Sequence, residues 1–414
     1  MLVRDGQLAY ARCSGHGDFL LRITVKQGNA LSAKWLTLLE CANPHPVPDR
    51  LNELLSKPLD WRNLLILAEE QGILPLLTKR LGELDEGRSG THPELVPPEI
   101  RQELRDAARA QTLFTLSLTA ELFHVLDRFA ALGIDVLLTK GPVLSARCYG
   151  DPGLRQFTDL DLVLRNADAA RATEAMMALN YQPKVPLKAI QAGKAPGEYV
   201  FSQKGTKLLV ELHTERTFRY HPKPLSVKKL FGRQAVVRFD GHDVPALSTE
   251  DELLLICIHG AKHFWERLMW IADVAALVSR QSVDWDRAMA VAREVHAERM
   301  LRVGLLLATN VPGARLPAKV LEELFREARS AGIAEQIARR LPVVDAEPFG
   351  LFGRAIFRIR MRGAFPPGVV YLLRLSLSPT EEDWVAGAEE KRSRMLDAIS
   401  RPFRLARKYG REGK

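Results

Sequence analysis

The sequence lacks any apolar run long enough to cross a membrane and any recognisable secretory leader. Its 414 residues are 46% hydrophobic and 26% charged, shares typical of globular proteins. No stretch approaches the roughly 18 consecutive apolar residues of a membrane helix. The opening MLVRDG does not show the basic-then-apolar order of a signal peptide. We therefore expect a cytoplasmic protein with no membrane span.

Cysteine is scarce, and its spacing excludes two classes of protein. The chain contains four cysteines, none in CxxC spacing: Cys13, Cys41, Cys148 and Cys257. A disulfide scaffold or a structural zinc site needs paired or clustered cysteines, so neither is expected here. We expect reduced thiols in the interior of the protein.

Positive charge exceeds negative charge, with a formal net charge of +9. Part of the excess lies in the C-terminal RPFRLARKYGREGK, which holds six basic residues and one acidic residue. A basic surface can attract RNA or nucleotides, but it can also serve only solubility. Both interpretations remain open at this point.

Hydrophobic periodicity predicts an α+β fold in which helical regions flank a small mixed sheet. Apolar residues at three- and four-residue spacing, as in LDWRNLLILAEEQGILPLLTKRL, predict helices on both sides of a strand-rich centre. A chain of this length suits two or three domains. The predicted segments are a prelude (1–35), an N-terminal helical region (36–132), an α/β core (133–245), a C-terminal helical domain (246–330) and a basic helical tail (331–414).

Within the predicted core, short patterns favour an alternation of strands and helices. IDVLLT has strand composition, and the following Lys140-Gly141-Pro142 favours a helix that opens at the glycine. DLDLVL alternates carboxylate and aliphatic side chains, which predicts a strand with one polar face. EYVFSQ and KLLVELH flank Lys204-Gly205-Thr206, which indicates a hairpin.

Three carboxylates fall on the polar faces of these predicted strands. Asp159 and Asp161 are two apart and point the same way, as do Glu211 and His213. If the two strands are neighbours, the carboxylates converge, and oxygen ligands of this kind suit magnesium, with manganese as the alternative. An isolated Asp-x-Asp is also common on a solvated strand face, where it has no catalytic role.

Basic and histidine residues supply candidates for nucleotide binding. Lys140 and Gly141 lie where a strand meets a helix N-terminus, a favourable place for phosphate, although an ordinary turn with an exposed lysine has the same pattern. Arg155 is a further phosphate candidate, against the alternative of a surface arginine. On a later helix, three more side chains either face the nucleotide or belong to the core: His259, Lys262 and His263.

LLTKGPVLSARCYGDPGLRQFTDLDLVL resembles the core signature of an uncharacterised nucleotidyltransferase family, the fifth of the NTP-transferase families, within the DNA-polymerase-β-like superfamily. The resemblance implies a polymerase-β-like core with catalytic metal on Asp159 and Asp161 and a third carboxylate in Glu211. Lys140-Gly141 takes the place of the superfamily's Gly-Ser turn, so the serine that commonly contacts phosphate is absent. The similarity extends from about residue 36 to the C-terminal end.

The resemblance also implies a reaction. An enzyme of this kind transfers a nucleoside monophosphate from an NTP to a hydroxyl of an acceptor, with loss of pyrophosphate. The acceptor stays open among small molecules, saccharides, peptides and proteins. RNA is the alternative acceptor, as in tRNA-modifying toxins of the same superfamily, and the basic C-terminal segment favours it slightly. A catalytically silent nucleotide- or RNA-binding module is the third hypothesis.

Overall fold

The computed structural model describes residues 32–86, 95–192, 197–206, 208–214, 225–342, 350–363 and 368–369. The predictions for the prelude before residue 32 and for the basic C-terminal segment lie outside these residues. Within the described part of the chain, no helix combines the length and the apolar character needed to cross a membrane.

Most of the described residues are helical. The α-helices, in chain order, are α1 (Ala33–Ala42), α2 (Pro48–Leu55), α3 (Trp61–Glu70), α4 (Leu74–Glu86), α5 (Pro98–Ala131), α6 (Gly141–Tyr149), α7 (Ala169–Ala178), α8 (Leu187–Gln191), α9 (Val227–Gly232), α10 (Thr249–Lys262), α11 (Leu268–Arg280), α12 (Trp285–Glu294), α13 (Glu298–Asn310), α14 (Ala318–Arg326), α15 (Ala328–Arg340) and α16 (Leu351–Met361).

Within the described residues, the strands form one mixed sheet of seven members in the order β3-β4-β5-β2-β1-β7-β6. They are β1 (Val136–Thr139), β2 (Asp159–Leu164), β3 (Tyr181–Pro183), β4 (Glu198–Gln203), β5 (Leu209–His213), β6 (Ala235–Phe239) and β7 (His242–Ala246). The central strand β2 pairs antiparallel with β1 and parallel with β5, while β4 and β5 form the predicted hairpin. The α+β fold expected from the sequence is confirmed.

The alternation of side chains along β2 and β5 determines which residues face the core and which face the site. Leu160, Leu162 and Leu164 of β2 are buried in a hydrophobic cluster with Val210 and Leu212 of β5. A shift of register by one residue would exchange these aliphatic side chains with the carboxylates on the other face. Burial of the leucines therefore determines that the acidic side chains of both strands share the opposite face.

Several elements differ from the sequence-based expectation. The amphipathic stretch after residue 59 is divided into α3 and α4, because Gly72 adopts a φ of 70° that ends the first helix. A 3₁₀ turn at Asn166–Asp168 precedes α7, which starts at Ala169. Strands β3, β6 and β7 were not predicted.

The helix expected to carry His259, Lys262 and His263 ends one residue too early for the third of them. Helix α10 ends at Lys262, and both Phe264 and Trp265 have positive φ values. The chain therefore turns here and begins α11 at Leu268. The expectation that both histidines project from one continuous helix was wrong.

The chain forms two compact units that interleave along the sequence. A helical unit comprises the described parts of 1–110, 263–281 and 302–346, and the second unit, which contains the sheet, comprises those of 111–262, 282–301 and 347–414. In the helical unit, the backbone N–H of Leu268 donates to the side chain of Gln71. The segment boundaries predicted from the sequence follow the chain linearly and stay a prediction.

Candidate active site

The register of β2 and β5 places two of the predicted carboxylates side by side. The strands are parallel, with Asp161 opposite Glu211 and Val163 opposite His213. Laterally paired residues in a sheet have neighbouring side chains on the same face. The site therefore arises from two segments fifty residues apart in sequence that the sheet brings into contact.

Asp161, Glu211 and His213 form a close cluster. The Nε2 atom of His213 lies 2.7 Å from Oδ1 of Asp161 and 3.6 Å from Oε2 of Glu211. One potential metal-ligand atom from each of the three residues lies within 4.8 Å of the other two. Asp161 and His213 are buried, and the side chain of Glu211 is 22% exposed. The cluster is thus accessible from one side, through Glu211.

Asp159 begins β2 on the same face but takes a different position from the one predicted. It is opposite Leu209 in the register, two pairs before Asp161 and Glu211. Among the described residues, the group whose ligand atoms converge contains His213 and not Asp159. Burial, followed by the charge of Asp161, raises the pKa of Asp159, so the two carboxylates influence each other electrostatically.

Lys140 is the cation that faces the carboxylates. Its Nζ atom donates a hydrogen bond of 3.0 Å to Oδ1 of Asp161, the oxygen that also contacts His213. The lysine was predicted to neutralise phosphate from the end of β1. In this structure its ammonium group neutralises the carboxylate of Asp161, and its backbone belongs to the predicted phosphate-binding turn.

Burial and the neighbouring charges give the two carboxyl groups of the cluster different pKa values. Burial opposes ionisation of Asp161, but the Lys140 ammonium and the hydrogen bond with His213 together hold its pKa well below the usual range. Burial, reinforced by the charge of Asp161, raises the pKa of Glu211 to about 7. Although burial opposes it, the hydrogen bond with Asp161 raises the pKa of His213. Asp161 is consequently the stronger acid of these two carboxyl groups and Glu211 the weaker.

The turn between β1 and α6 has an unusual backbone. Lys140 and Gly141 both have positive φ values, 50° and 49°. Such a conformation is strained for lysine and persists only where the surroundings determine it. The turn lies at the end of the sheet that carries Asp161, because Thr139, the residue before Lys140, is opposite Asp161 in the β1–β2 register. A helix N-terminus of this kind carries a partial positive charge that favours phosphate.

Glu252 is a buried carboxylate of this region that the sequence did not reveal. It lies on α10 and is 1% exposed, and its Oε1 accepts hydrogen bonds from the backbone N–H of Lys140 at 3.0 Å and from Oγ1 of Thr139 at 3.1 Å. Burial raises its pKa. In the sequence it belongs to an acidic triplet that resembles an ordinary first helical turn, so nothing local distinguishes it.

Arg155, the candidate for phosphate binding, and Arg147 of α6 are both buried. Arg155 is 6% exposed, its carbonyl accepts a hydrogen bond from Gln111, and its positive charge acts on Asp159. Arg147 of α6 donates to the carbonyl of Leu247 and to Oγ1 of Thr249, which fixes α6 to the start of α10. The charge of Arg155 therefore acts on the acidic site, and its role in phosphate binding stays a prediction. The guanidinium of Arg147 connects α6 to α10.

The histidine and lysine candidates fall in different units. His259 and Lys262 are half-buried in the last turn of α10, in the sheet-containing unit. His263 belongs to the helical unit, where its ring packs against Trp270 with centroids 5.1 Å apart. A nucleotide-binding role for these residues stays a prediction.

The donor set fits a divalent cation. Asp161 and Glu211 supply hard carboxylate oxygens, which suit magnesium, and the imidazole of His213 adds a nitrogen donor that manganese accepts more readily. Their atoms already lie close together without any rearrangement of the backbone. Asp161 and Glu211 are laterally paired, and a divalent cation held between the two carboxylates would offset their mutual repulsion.

Comparison with the profiles of known protein families gives a match. The sequence profile of a family described as uncharacterised nucleotidyltransferase matches residues 57–313, which include all the residues of the acidic cluster and the Lys140–Gly141 turn. A comparison with curated proteins gives no match.

Proposed function

Because the chain belongs to the uncharacterised nucleotidyltransferase family, we propose that it transfers a nucleoside monophosphate from an NTP to an acceptor hydroxyl with the help of a divalent cation. The acceptor oxygen forms a bond to the α-phosphorus, the bond between the α-phosphorus and the α–β bridging oxygen breaks, and pyrophosphate leaves. The observation that carries this proposal is the lateral pairing of Asp161 with Glu211 next to the Lys140–Gly141 turn.

We assign separate tasks to the residues of the site. Asp161 and Glu211 would hold the cation, with His213 as a third donor and Asp159 as a carboxylate at the edge of the cluster. When bound, magnesium or manganese would neutralise phosphate charge and orient the reacting oxygens. The N-terminus of α6 and the Lys140 side chain would face the triphosphate, and Arg155 would add positive charge beside Asp159.

Proton removal from the acceptor is the remaining task. A general base must lie within reach of the acceptor hydroxyl, and the side chain of Glu211 is partly exposed beside Asp161. We therefore propose that Glu211 receives the acceptor proton at its free oxygen. Positioning and charge neutralisation would supply most of the rate gain, as in other phosphoryl-transfer enzymes.

The test is turnover of labelled NTP in the presence of acceptor pools. Incubation with α-³²P-labelled ATP, GTP, CTP or UTP, magnesium or manganese, and either a metabolite extract, a protein extract or total RNA should label one pool and release pyrophosphate. Labelled small molecules or labelled protein would support an acceptor of that class, and labelled RNA would support the alternative that RNA is the acceptor. If no pool is labelled and no pyrophosphate appears with either metal, the proposal of an active enzyme is wrong.

A second candidate, RNA as the acceptor, rests on the basic C-terminal segment. The last fourteen residues, RPFRLARKYGREGK, contain six basic residues, enough for several phosphate contacts. This segment lies outside the described residues, so the argument for RNA is one of charge alone.

A further inference from the structure

One contact connects helix α10 to the strained turn of the nucleotide site. The Oε1 atom of Glu252 accepts hydrogen bonds from the backbone N–H of Lys140 and from Oγ1 of Thr139, two consecutive residues that are more than a hundred positions away in sequence. The Glu252 side chain is buried, so these bonds are shielded from water. A buried backbone N–H needs a partner, and here a carboxylate supplies it.

The contact holds Lys140, a non-glycine residue of the turn that has a positive φ. Lys140 has a φ of 50°, a value that a lysine seldom adopts without support from its surroundings. Because Glu252 occupies the N–H of Lys140, that group cannot bind phosphate. The first intrahelical bond of α6 joins the N–H of Leu144 to the carbonyl of Lys140, so the N–H groups of Gly141 and Val143 precede it and point out of the helix.

Lys140 therefore lies between two carboxylates with different tasks. Its backbone is held by Glu252, and its ammonium group is bonded to Asp161 of the acidic cluster. The direction of the Lys140 side chain follows from the conformation of its backbone. A change in the turn would consequently move both the helix N-terminus and the cation that faces Asp161.

We infer that Glu252 is a positioning residue of the nucleotide site, which holds the Thr139–Gly141 turn in the conformation that presents the α6 N-terminus to the triphosphate. This inference rests on the proposed function, and it adds a residue outside the acidic cluster to the machinery of the site. Glu252 acts through two accepted hydrogen bonds, so its acceptor oxygen and not its volume is the essential feature.

The neighbouring Asp251 supplies a matched control. It lies on the same helix, is equally buried, and its carboxylate accepts hydrogen bonds from Arg233 and Ser248. These contacts fix the beginning of α10 and do not involve the turn after β1. Asp251→Asn should therefore weaken the protein generally, whereas changes at Glu252 should affect the nucleotide site in particular.

The experiment compares Glu252→Ala, Glu252→Gln, Thr139→Val and Asp251→Asn in the full chain. Hydrogen–deuterium exchange of peptides covering residues 138–146 is measured without nucleotide, and calorimetry gives the Kd for ATP, GTP, CTP and UTP with magnesium. Glu252→Ala should accelerate exchange in the turn and weaken the binding of the preferred NTP by about 10- to 100-fold, because small displacements of a positioning element have effects of this size.

The conservative variant should rescue the site. The side-chain amide of glutamine retains an acceptor oxygen, so Glu252→Gln should keep turn exchange near that of the wild type and NTP affinity within about threefold. Thr139→Val removes one of the two donors and should give an intermediate result even if Glu252→Ala does not fold. Asp251→Asn should lower the melting temperature without a change in turn exchange or affinity.

Each outcome decides the inference. Unchanged exchange of the turn in a folded Glu252→Ala protein, or equal damage from Glu252→Gln and Glu252→Ala, would overturn it. A wild-type protein that binds no NTP would refute the proposed function. In that case the exchange measurement would still decide whether Glu252 holds the turn.

Discussion

Asp161 combines deep burial with contacts to two positively polarised side chains. Its Oδ1 atom accepts from Lys140 and lies 2.7 Å from His213, and its neighbour across the sheet is Glu211. Replacement by asparagine removes the charge and keeps the volume. Asp161→Asn should therefore abolish divalent-cation binding and reduce nucleotidyl transfer by at least about 100-fold.

The same variant should remain folded. Lys140 still feels the charges of Asp159 and Glu211, so the loss of unfolding free energy should be about 1–3 kcal/mol, the usual contribution of a hydrogen bond to a charged group. Circular dichroism and thermal unfolding check the fold, and labelled-NTP turnover checks the activity. Normal turnover by a folded Asp161→Asn protein would show that the site is assigned to the wrong residues.

Glu211 should make the stability of the metal-free protein depend on pH. Its pKa is raised from 4.5 to about 7, so the folded state holds a proton that the unfolded state releases. The contribution of this group is complete below pH 4.5 and is lost as the pH rises through about 7. The loss should amount to at most about 3 kcal/mol, because Glu211 is partly exposed and coupled to Asp161.

Chemical denaturation in the presence of a chelator at several pH values measures this effect. Glu211→Gln cannot ionise, so its unfolding free energy should fall less than that of the wild type between pH 5 and pH 8. Glu322→Gln, at an exposed position of α14 in the helical unit, is the control for the removal of one carboxyl group elsewhere in the chain. Parallel profiles for the wild type and Glu211→Gln would contradict the raised pKa.

At the scale of residues, the sequence revealed what depends on alternation within a strand. The face shared by Asp159 and Asp161, and that shared by Glu211 and His213, follow from period-two geometry. The contact between His213 and Asp161 depends on the register between β2 and β5. The pattern within a single strand does not indicate that register. Glu252 could not be found in this way, since its partners lie more than a hundred positions earlier and its own segment has helical periodicity.

At the scale of elements, the turns after β1 and between α3 and α4 have comparable backbone strain but different surroundings. Gly141 has a φ of 49°, and a Cβ there would lie 3.5 Å from the carbonyl oxygen of Asp159, an ordinary contact. Gly72 has a φ of 70°, and a Cβ there would lie 2.9 Å from Met269 within the helical unit. The two glycines therefore provide a matched pair of substitutions.

Gly141→Ala should lower the unfolding free energy by about 1–2 kcal/mol, the cost of a left-handed conformation for an alanine. It should weaken NTP binding further, because relaxation of the strain displaces the N-terminus of α6. Gly72→Ala should destabilise the protein more, through strain and overpacking together, and leave the NTP affinity of the folded fraction unchanged. Denaturant unfolding and calorimetry measure the two effects separately. Equal loss of affinity in both variants would show that the turn after β1 has no special role.

The elements that the sequence predicted are those with a strong local signal. Strand β2, the α6 helix opening at Gly141 and the β4–β5 hairpin had clear patterns and were confirmed. The β6–β7 hairpin was missed, although Asp240-Gly241 with positive φ at both residues is a tight-turn signal between them. Its strands are short and carry exposed charged residues such as Arg238 and Asp243, so their alternation resembles a loop.

At the scale of the whole molecule, the formal charge of +9 bears on the choice of acceptor. If RNA is the acceptor, a chain truncated after Ser400 should bind RNA more weakly at moderate salt, and the dependence of its affinity on salt concentration should become less steep. Filter binding at several salt concentrations measures both. An unchanged salt dependence would count against RNA and favour a small-molecule or protein acceptor.

The interleaving of the two compact units could not be predicted from the sequence. Helical periodicity identifies helices but not which of them pack together, and each unit draws on segments from distant parts of the chain. The break between α10 and α11, where Phe264 and Trp265 adopt positive φ values, coincides with a crossing from one unit to the other. Neither aromatic residue belongs to a type that favours this conformation, so no local pattern predicts the turn.

The central claim is that Asp161, Glu211 and His213 bind a divalent cation that supports NTP binding. Isothermal titration of the full chain with each NTP, in magnesium, in manganese and in chelator, tests it most directly, with Asp161→Asn as the matched variant. We predict saturable binding of at least one NTP in the presence of metal, and its loss in chelator and in Asp161→Asn. Binding that is the same with and without metal, or the same in the variant, would contradict the claim.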